Sequence, residues 1–261
     1  MVSDKPIKLG TLLFTMVEPR KGHEVAYNRW YERDHFYAGC MIGAYNFAGK
    51  RYVATRDLKD LRYPSESPIT PSPDTGSYVA LYYVLKGHHE DWNRWAVDQV
   101  NVLHANGRMF PERDHIHTVL YTFEDSVSRD EDSVPPELAL DHPYKGIVAT
   151  MLEATGDRAD AIDWVKAQLP GWLTDSGAGQ ALVFTPKPLL DDAPPDVPRD
   201  PATSVRILVL WFLDQEPGEA WDRTFSDLGK EVADGGKANL VWASPFKPTI
   251  VGTDTYTDQL W

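Results

Sequence analysis

Apolar residues in the first half of the chain follow two spacings in turn, one typical of strands and the other of helices. Residues 9–17 form a short apolar run with β-branched members, which predicts a strand. Residues 24–37 place Tyr27, Trp30 and Tyr31 at helical spacing, which predicts a helix. The remaining elements of this half are two strands over 43–54 and 78–85, a helix over 91–108 and a last strand over 115–123.

This succession, β-α-β-β-α-β, is the split βαβ arrangement of ferredoxin-like folds, and the second half of the chain repeats it. Two short motifs of the first half recur in the second. Thr15-Met16-Val17-Glu18 corresponds to Thr150-Met151-Leu152-Glu153, and Trp92-Asn93-Arg94 corresponds to Trp221-Asp222-Arg223. The same order of elements at similar offsets indicates a duplication. The other elements predicted for the second half are a helix over 160–169 and strands over 181–184, 205–213 and 239–243.

A four-stranded antiparallel sheet with both helices on one face leaves its other face bare. Burial of apolar surface contributes roughly 25 cal/mol per Å², which favours pairing that face with a second sheet. The second repeat supplies this sheet within the same chain. We therefore predict an α+β protein made of two tandem ferredoxin-like repeats that form an intrachain α/β barrel. Any homo-oligomer would then use surfaces other than the barrel sheets.

Proline-rich acidic stretches over 62–76 and 189–201 read as exposed loops, because proline removes ladder donors and charge opposes burial. A third polar stretch over 124–136 separates the halves. The predicted organisation is a first repeat over 6–125 with the site, a linker over 126–142, a second and degenerate repeat over 143–250, and a tail over 251–261.

Charge and composition narrow the class of partner. The chain carries 39 acidic and 26 basic residues, a formal charge of −13, whereas nucleic acid or an anionic membrane would require a concentrated basic face. The single cysteine, Cys40, allows no intrachain disulfide and has no evident activating partner. We find no apolar signal core and no bilayer-spanning stretch, so we expect a cytoplasmic protein with a small, uncharged or weakly charged partner.

The most informative stretch runs from Trp30-Tyr31 through Asp34-His35 and on to Gly43-Ala44-Tyr45 and Arg51-Tyr52. It resembles the dimeric α/β barrel superfamily, and within it the EthD-like proteins. The resemblance covers the first predicted repeat in motif and the second only in element order. The family usually has a proline and a glycine after the Asp-His pair, and this chain has Phe36-Tyr37-Ala38-Gly39-Cys40 instead.

The resemblance implies a small hydrophobic or aromatic carbonyl compound as substrate and a cofactor-independent lyase, cyclase, isomerase or monooxygenase. More distant relatives bind haem. From the residues themselves, His35 lies one helical turn after Tyr31, so imidazole and phenol can project to one rim. A histidine with an ordinary pKa near 6.5 can move protons at neutral pH, and Asp34 could orient it. The predicted catalytic residues are therefore His35, Tyr31 and Asp34, although a helix-end histidine can also serve packing alone.

Further residues of the first repeat are predicted to bind the substrate. Arg51 shares a strand face with Tyr45 and Phe47 by alternation, and its charge could hold a carbonyl or a phenolate. The predicted substrate-binding residues are Tyr27, Trp30, Tyr45, Arg51 and His104.

A second hypothesis is an enzyme that depends on haem or a divalent metal. His115 and His117 lie two residues apart on a strand and so are expected on one face, where Asp114 or His104 could complete a site. Paired histidines are also common at strand starts, and we predict no metal site. Glu112-Arg113-Asp114-His115 repeats the letters of Glu32-Arg33-Asp34-His35, which we interpret as coincidence.

The second repeat has no imidazole at the position equivalent to His35, where Asp163-Trp164-Val165 begins the matching helix segment. This asymmetry predicts that the second repeat serves architecture and the first serves function. A third hypothesis is a non-catalytic small-molecule binding protein.

Overall fold

The strands form where apolar residues run without interruption. In the computed structural model, which describes residues 6–193 and 197–261, the strand Tyr78–Leu85 has nearly every side chain buried because both of its faces are covered. The elements of the first half are β1 (Leu9–Pro19), α1 (Glu24–Trp30), a π-helical segment (Tyr31–Met41), β2 (Asn46–Val53), α2 (Arg56–Lys59), β3 (Tyr78–Leu85), α3 (His89–Ala105) and β4 (Arg113–Ser128).

The second half has the same alternation of strands and helices. Its elements are a short 3₁₀ turn (Pro136–Leu138), β5 (Gly146–Ala154), α4 (Arg158–Asp175), β6 (Ala178–Lys187), β7 (Arg206–Leu213), α5 (Pro217–Ala220), a π-helical turn (Trp221–Phe225), α6 (Leu228–Asp234) and β8 (Ala238–Pro248). The predicted α+β class is confirmed. Among the described residues, none of the helices has the length and apolarity required to cross a bilayer.

All eight strands belong to one antiparallel sheet with the order β1-β3-β2-β8-β5-β7-β6-β4, and β4 pairs back with β1 so that the sheet closes. The two seams between the halves differ in length. The β4–β6 seam runs from Leu120 to Ser128, whereas the β2–β8 seam pairs only Tyr52 and Val53 with the end of β8. The pairing with β6 also carries β4 through Ser128, past the start of the predicted linker at 126.

The inside of the closed sheet is filled with side chains such as Phe14, Tyr83 and Trp242, so it is a packed core. On the outside, the second half buries one continuous apolar layer beneath α4 and α6. The outer apolar layer of the first half is not continuous. Its outer layer divides into one cluster around Tyr31 and Tyr82 and another around Trp92 and Leu120. The gap between these two clusters is where the main cavity of the first half lies.

Candidate functional site

The cavity lies between the outer face of β1 and β4 and the two elements that cover them, the π-helical segment and α3. Its volume is about 110 Å³, and most of its wall is apolar. The loop after β6, which belongs to the second half, closes one side with Leu189, Ala193 and Val197. The polar side chains in the wall are Thr15, Tyr31, His35, Cys40, Asn93, His104, Arg113, His115 and Thr118. The cavity is therefore a small apolar chamber with a few placed polar groups, as ligand sites are.

His35 is held in the wall by the π-helical segment. Its imidazole stacks on the Trp30 ring with centroids 4.5 Å apart at 17°, and it meets the Tyr31 ring edge-on at 5.2 Å. Gly39 leaves room for the ring, because a Cβ there would lie 2.9 Å from His35 Cε1. Short π-helical turns inside helices are frequent at functional sites. The widened turn thus brings this histidine inward, off the helix surface.

Burial determines the protonation state of His35. It lowers the pKa of the imidazole to about 3, and the nearby Arg113 and His115 act in the same direction. The ring is therefore neutral at pH 7, and the fall in activity expected near the ordinary pKa moves to much lower pH. Among the described residues, none gives His35 Nδ1 a hydrogen bond, and the buried Trp92 Nε1 likewise has no partner. Two side chains in the cavity wall therefore each carry a buried polar atom without a hydrogen bond, which is costly to leave unpaired.

Tyr31 and Cys40 line the same wall and remain protonated. The Tyr31 hydroxyl lies 2.9 Å from the Tyr82 hydroxyl, and burial raises the pKa of the Tyr31 phenol well above its usual range. Burial likewise raises the pKa of the Cys40 thiol to about 12. The thiol is therefore no nucleophile at neutral pH, as the sequence led us to expect.

The mouth of the cavity is polar and opens into a wider cleft of about 830 Å³, which shares the walls His104, Met109, Arg113 and His115. Arg113 Nη2 lies 3.3 Å from His115 Nε2. A guanidinium only donates, so Nε2 accepts and the proton sits on Nδ1, which donates to Thr118 Oγ1 at 3.2 Å. Thr118 in turn lies 2.9 Å from Thr15 across the strands. Hydrogen bonds thus connect Arg113, His115, Thr118 and Thr15 in series from the mouth into the cavity.

Asp34 does not orient His35. Its carboxylate forms an ion pair with Arg108 at the surface, and Arg108 in turn accepts a hydrogen bond on its carbonyl oxygen from Trp30 Nε1 at 2.7 Å. The prediction took Asp34 as the partner of its neighbour in sequence. A helical residue instead points away from the next residue, and Asp34 reaches an arginine distant in the chain.

Of the predicted substrate-binding residues, His104 and Trp30 lie at the cavity or directly behind its wall, whereas Tyr27, Tyr45 and Arg51 lie elsewhere. His104 lies in the cavity wall, and Trp30 forms the layer behind His35. Tyr27 is buried in an aromatic cluster, with its ring centroid 5.3 Å from that of Tyr78. Tyr45 lies elsewhere, stacked at 3.9 Å on His88 at the surface.

Arg51 is not in the cavity and does not share a face with Phe47. The register of β2 against β3 shifts between Asn46 and Ala48, so Phe47 packs against Tyr83 on the inside of the sheet. Arg51 lies on the outside, behind Tyr31, with its guanidinium carbon 4.5 Å from the centre of that ring. A bulge reverses the faces that simple alternation predicts.

A second bulge separates the paired histidines. Met16 pairs with His117 and Val17 with His115, so Ile116 is the extra residue and the two imidazoles point to opposite sides. His117 faces the inside of the sheet, where Nε2 lies 3.0 Å from the Tyr121 hydroxyl. The prediction that they share a face was wrong. Within the described parts of the chain we find no cluster of three side chains able to hold a metal ion.

Sequence reasoning missed three contributors to the cavity: Trp92, Arg113 and the loop after β6. One signal did exist. The tetrapeptide Glu-Arg-Asp-His occurs twice in the sequence, which we interpreted as coincidence. The histidines of the two copies, His35 and His115, line the same cavity from different elements.

No protein-family model and no curated protein matches the chain. Among solved structures, it is similar to an anthrone oxidase-like protein at 10% identity and a TM-score of 0.52, over 95% of this chain and 98% of the other. A protein assigned as a chlorite dismutase aligns at 14% identity and a TM-score of 0.55, over 97% and 100%. A protein assigned as a monooxygenase from Fusobacterium nucleatum aligns at 7% and 0.50, over 93% of both chains. These likenesses establish a shared fold, and the proteins concerned carry enzyme names.

Haem, the alternative cofactor, does not fit this cavity. The apolar chamber of about 110 Å³ is well below the roughly 300–1,000 Å³ of sites for larger ligands. The wider cleft outside it has the charged residues Arg20, Arg113 and Asp114 in its wall beside apolar ones, whereas a macrocycle requires a mainly apolar slot. Both ring nitrogens of His115 are engaged by Arg113 and Thr118. We therefore derive no chemistry through haem.

Proposed function

We propose that this protein is a cofactor-independent enzyme that removes a proton from a small hydrophobic or aromatic carbonyl compound, with His35 as the proton acceptor. The observation that carries the proposal is a neutral imidazole, buried in the wall of an apolar cavity, whose Nδ1 has no described partner. A neutral imidazole has one nitrogen that can accept a proton, and burial ensures that this form predominates at neutral pH. Burial also makes that nitrogen a weaker base than an exposed imidazole, so the step requires stabilisation of the ion pair that it forms.

In the proposed step, the C–H bond next to the carbonyl group breaks and its proton passes to His35. The electron pair remains on the substrate as an enolate, whose charge rests mainly on oxygen. We propose that the Trp92 N–H, which has no partner among the described residues, donates to that oxygen, and that the Arg113 guanidinium at the mouth supplies positive charge. The enolate offsets the cost of placing a proton on a buried imidazole, because opposite charges form together in an apolar site.

Tyr31 is proposed to fix the position of the imidazole, and Asp34 has no direct part. Lyases, cyclases, isomerases and monooxygenases acting on carbonyl compounds can all begin with this proton transfer. The names of the similar structures, an anthrone oxidase-like protein and a protein assigned as a monooxygenase, agree with that class of reaction.

We also propose that the two halves are a tandem repeat, EthD-like in its first half, whose second half is retained for architecture. The repeated order of elements and the closed strand order support this. A chain that closes its own sheet does not require a second copy to cover it. Size-exclusion chromatography with light scattering tests the consequence that oligomers, if any, leave the sheet intact.

The proposed proton transfer is tested without knowing the final product. The probe is 2-indanone, a small aromatic ketone with acidic C–H groups, and ¹H NMR follows the exchange of these hydrogens for solvent deuterium. We expect wild-type protein to accelerate exchange above the buffer rate. Failure of the wild-type protein to accelerate it would contradict the proposal.

Filling the cavity should abolish this acceleration. Ala96 lies in the cavity wall on α3, half-buried, so Ala96→Phe places a ring in the chamber while the outer face of the helix accommodates the strain. We expect exchange to fall at least tenfold while the far-UV circular dichroism is retained. Unchanged exchange in a folded Ala96→Phe variant would place the reaction elsewhere.

Two other functions predict different results with the same protein. A haem enzyme purified with its cofactor absorbs strongly near 400 nm, and metal analysis would detect a divalent ion. A non-catalytic binding protein would bind 2-indanone without accelerating its exchange.

A further inference from the structure

A second pocket, of about 220 Å³, lies on the other side of the π-helical segment, at the short seam between β2 and β8. Its deep wall contains Arg51 and Glu32, whose side chains are only 5% and 9% exposed. Its rim contains Tyr37 and Val251, which are largely exposed. The pocket thus combines an apolar entrance with a buried polar floor.

The two buried charges satisfy each other only in part. Arg51 Nη1 donates to Asn28 Oδ1 at 2.9 Å and lies 3.4 Å from Glu32 Oε1. Glu32 Oε2 accepts from the Gly252 N–H at 3.0 Å. Arg51 Nη2 and Glu32 Oε1 have no hydrogen bond among the described residues. Both residues line the pocket, and each has one buried polar atom without a hydrogen bond, which is costly to leave unpaired.

The edge of β2 adds backbone groups to this pocket. The last bond of the seam runs from the Thr249 N–H to the Arg51 carbonyl oxygen at 3.1 Å. In a strand, the backbone N–H and C=O groups of every second residue point to the same side. The groups of Gly49 therefore point to the same side as those of Arg51, beyond the last hydrogen bond of the β2–β8 seam. Gly49 also lines the pocket. The edge offers an N–H and a C=O to whatever occupies it.

We propose that this pocket is a binding site for a small carboxamide with an apolar substituent. The amide oxygen accepts from Arg51 Nη2, the amide N–H donates to Glu32 Oε1, and the substituent packs between Tyr37 and Val251. A carboxylate satisfies Arg51 but places negative charge beside Glu32, and a ketone leaves the Glu32 oxygen unpaired. The site is separate from the cavity that contains His35.

Three probes of nearly equal size distinguish these cases: phenylacetamide, phenylacetate and phenylacetone. Binding is followed by NMR on the Val251 methyl groups, in the Ala96→Phe variant to block the main cavity and in the wild type as a check. We expect phenylacetamide to bind about tenfold more tightly than either analogue, the effect of one hydrogen bond to a charged group. Equal binding of all three would overturn the proposal that the pocket recognises the amide. No perturbation of Val251 by any probe would overturn the proposal that the pocket is a binding site.

Glu32→Gln tests the acceptor directly, because glutamine keeps an oxygen for the Gly252 N–H but removes the negative charge. We expect phenylacetamide to lose about tenfold in affinity and phenylacetate to gain relative to it. Glu219→Gln, on the exposed surface of α5, is the matched control and should change neither. If Glu32→Gln retains a folded spectrum and still prefers the amide, the assignment of Glu32 as the acceptor is wrong. The comparison of the three probes in wild-type protein tests the binding site independently of any variant.

Discussion

Replacing His35 with alanine should lower the rate of proton exchange in 2-indanone by about 10²- to 10⁴-fold, the contribution of a positioned acid or base. The variant keeps the apolar wall and removes the neutral, buried imidazole of His35 from it. The measurement is the exchange rate by ¹H NMR at saturating ketone, so that loss of turnover is separated from loss of binding.

The control for this variant is His88→Ala. His88 is also a histidine that stacks on an aromatic ring, but it lies at the surface against Tyr45, remote from the cavity. We expect its exchange rate to match the wild type. Equal exchange in His35→Ala and wild type would remove His35 from the mechanism.

Acidification from pH 7 to pH 4 should lower the free energy of unfolding by about 6 kcal/mol through two buried imidazoles, at about 3 kcal/mol each. Burial lowers the pKa of His35 to about 3 and that of His117 to about 4. The unfolded chain, with histidine pKa values near 6.5, binds protons on both imidazoles through this interval, whereas the folded protein keeps them largely neutral until the pH approaches 4. The stabilisation is therefore complete above about pH 6.5 and is lost as the pH falls toward the folded-state values.

Denaturant unfolding at both pH values measures this loss in wild type and in His117→Phe. The phenylalanine fills a similar volume beside Phe14 inside the sheet and cannot titrate. We expect the variant to lose about 3 kcal/mol less than wild type on acidification. Carboxylates protonate in both proteins and cancel in the comparison. Identical acid sensitivity would show that His117 titrates normally in the folded protein.

The sequence predicts the strands and the position of His35 beside Tyr31 because these depend on local pattern. The apolar run of β3 reads as a strand in isolation, and the helical spacing of Tyr31 and His35 does bring both side chains to one cavity wall. The absence of an imidazole in the equivalent helix of the second half likewise led us to predict the site in the first half.

The errors arise where one residue is added to a strand. Bulges near Phe47 and at Ile116 reverse the side to which later residues point, and nothing in the local pattern marks them. Arg51 was thus predicted to bind substrate in the cavity but lies behind Tyr31, and His117 was predicted to share a face with His115 but faces the inside of the sheet.

Other parts of the site depend on contacts between distant segments. Asp34 pairs with Arg108, and Leu189 reaches the cavity from a loop of the other half. Periodicity carries no information on such contacts, because they depend on how segments distant in sequence pack in the folded chain.

The central claim, a neutral imidazole that faces a bound carbonyl compound, is tested most directly by NMR of the protein labelled with ¹⁵N-histidine. The His35 ring signals are identified by their loss in His35→Ala and followed from pH 8 to pH 4, with and without 2-indanone. We predict that His35 stays neutral over this range and that the ketone shifts its ring resonances. Titration with a midpoint of about 6.5, unaffected by the ketone, would contradict the account.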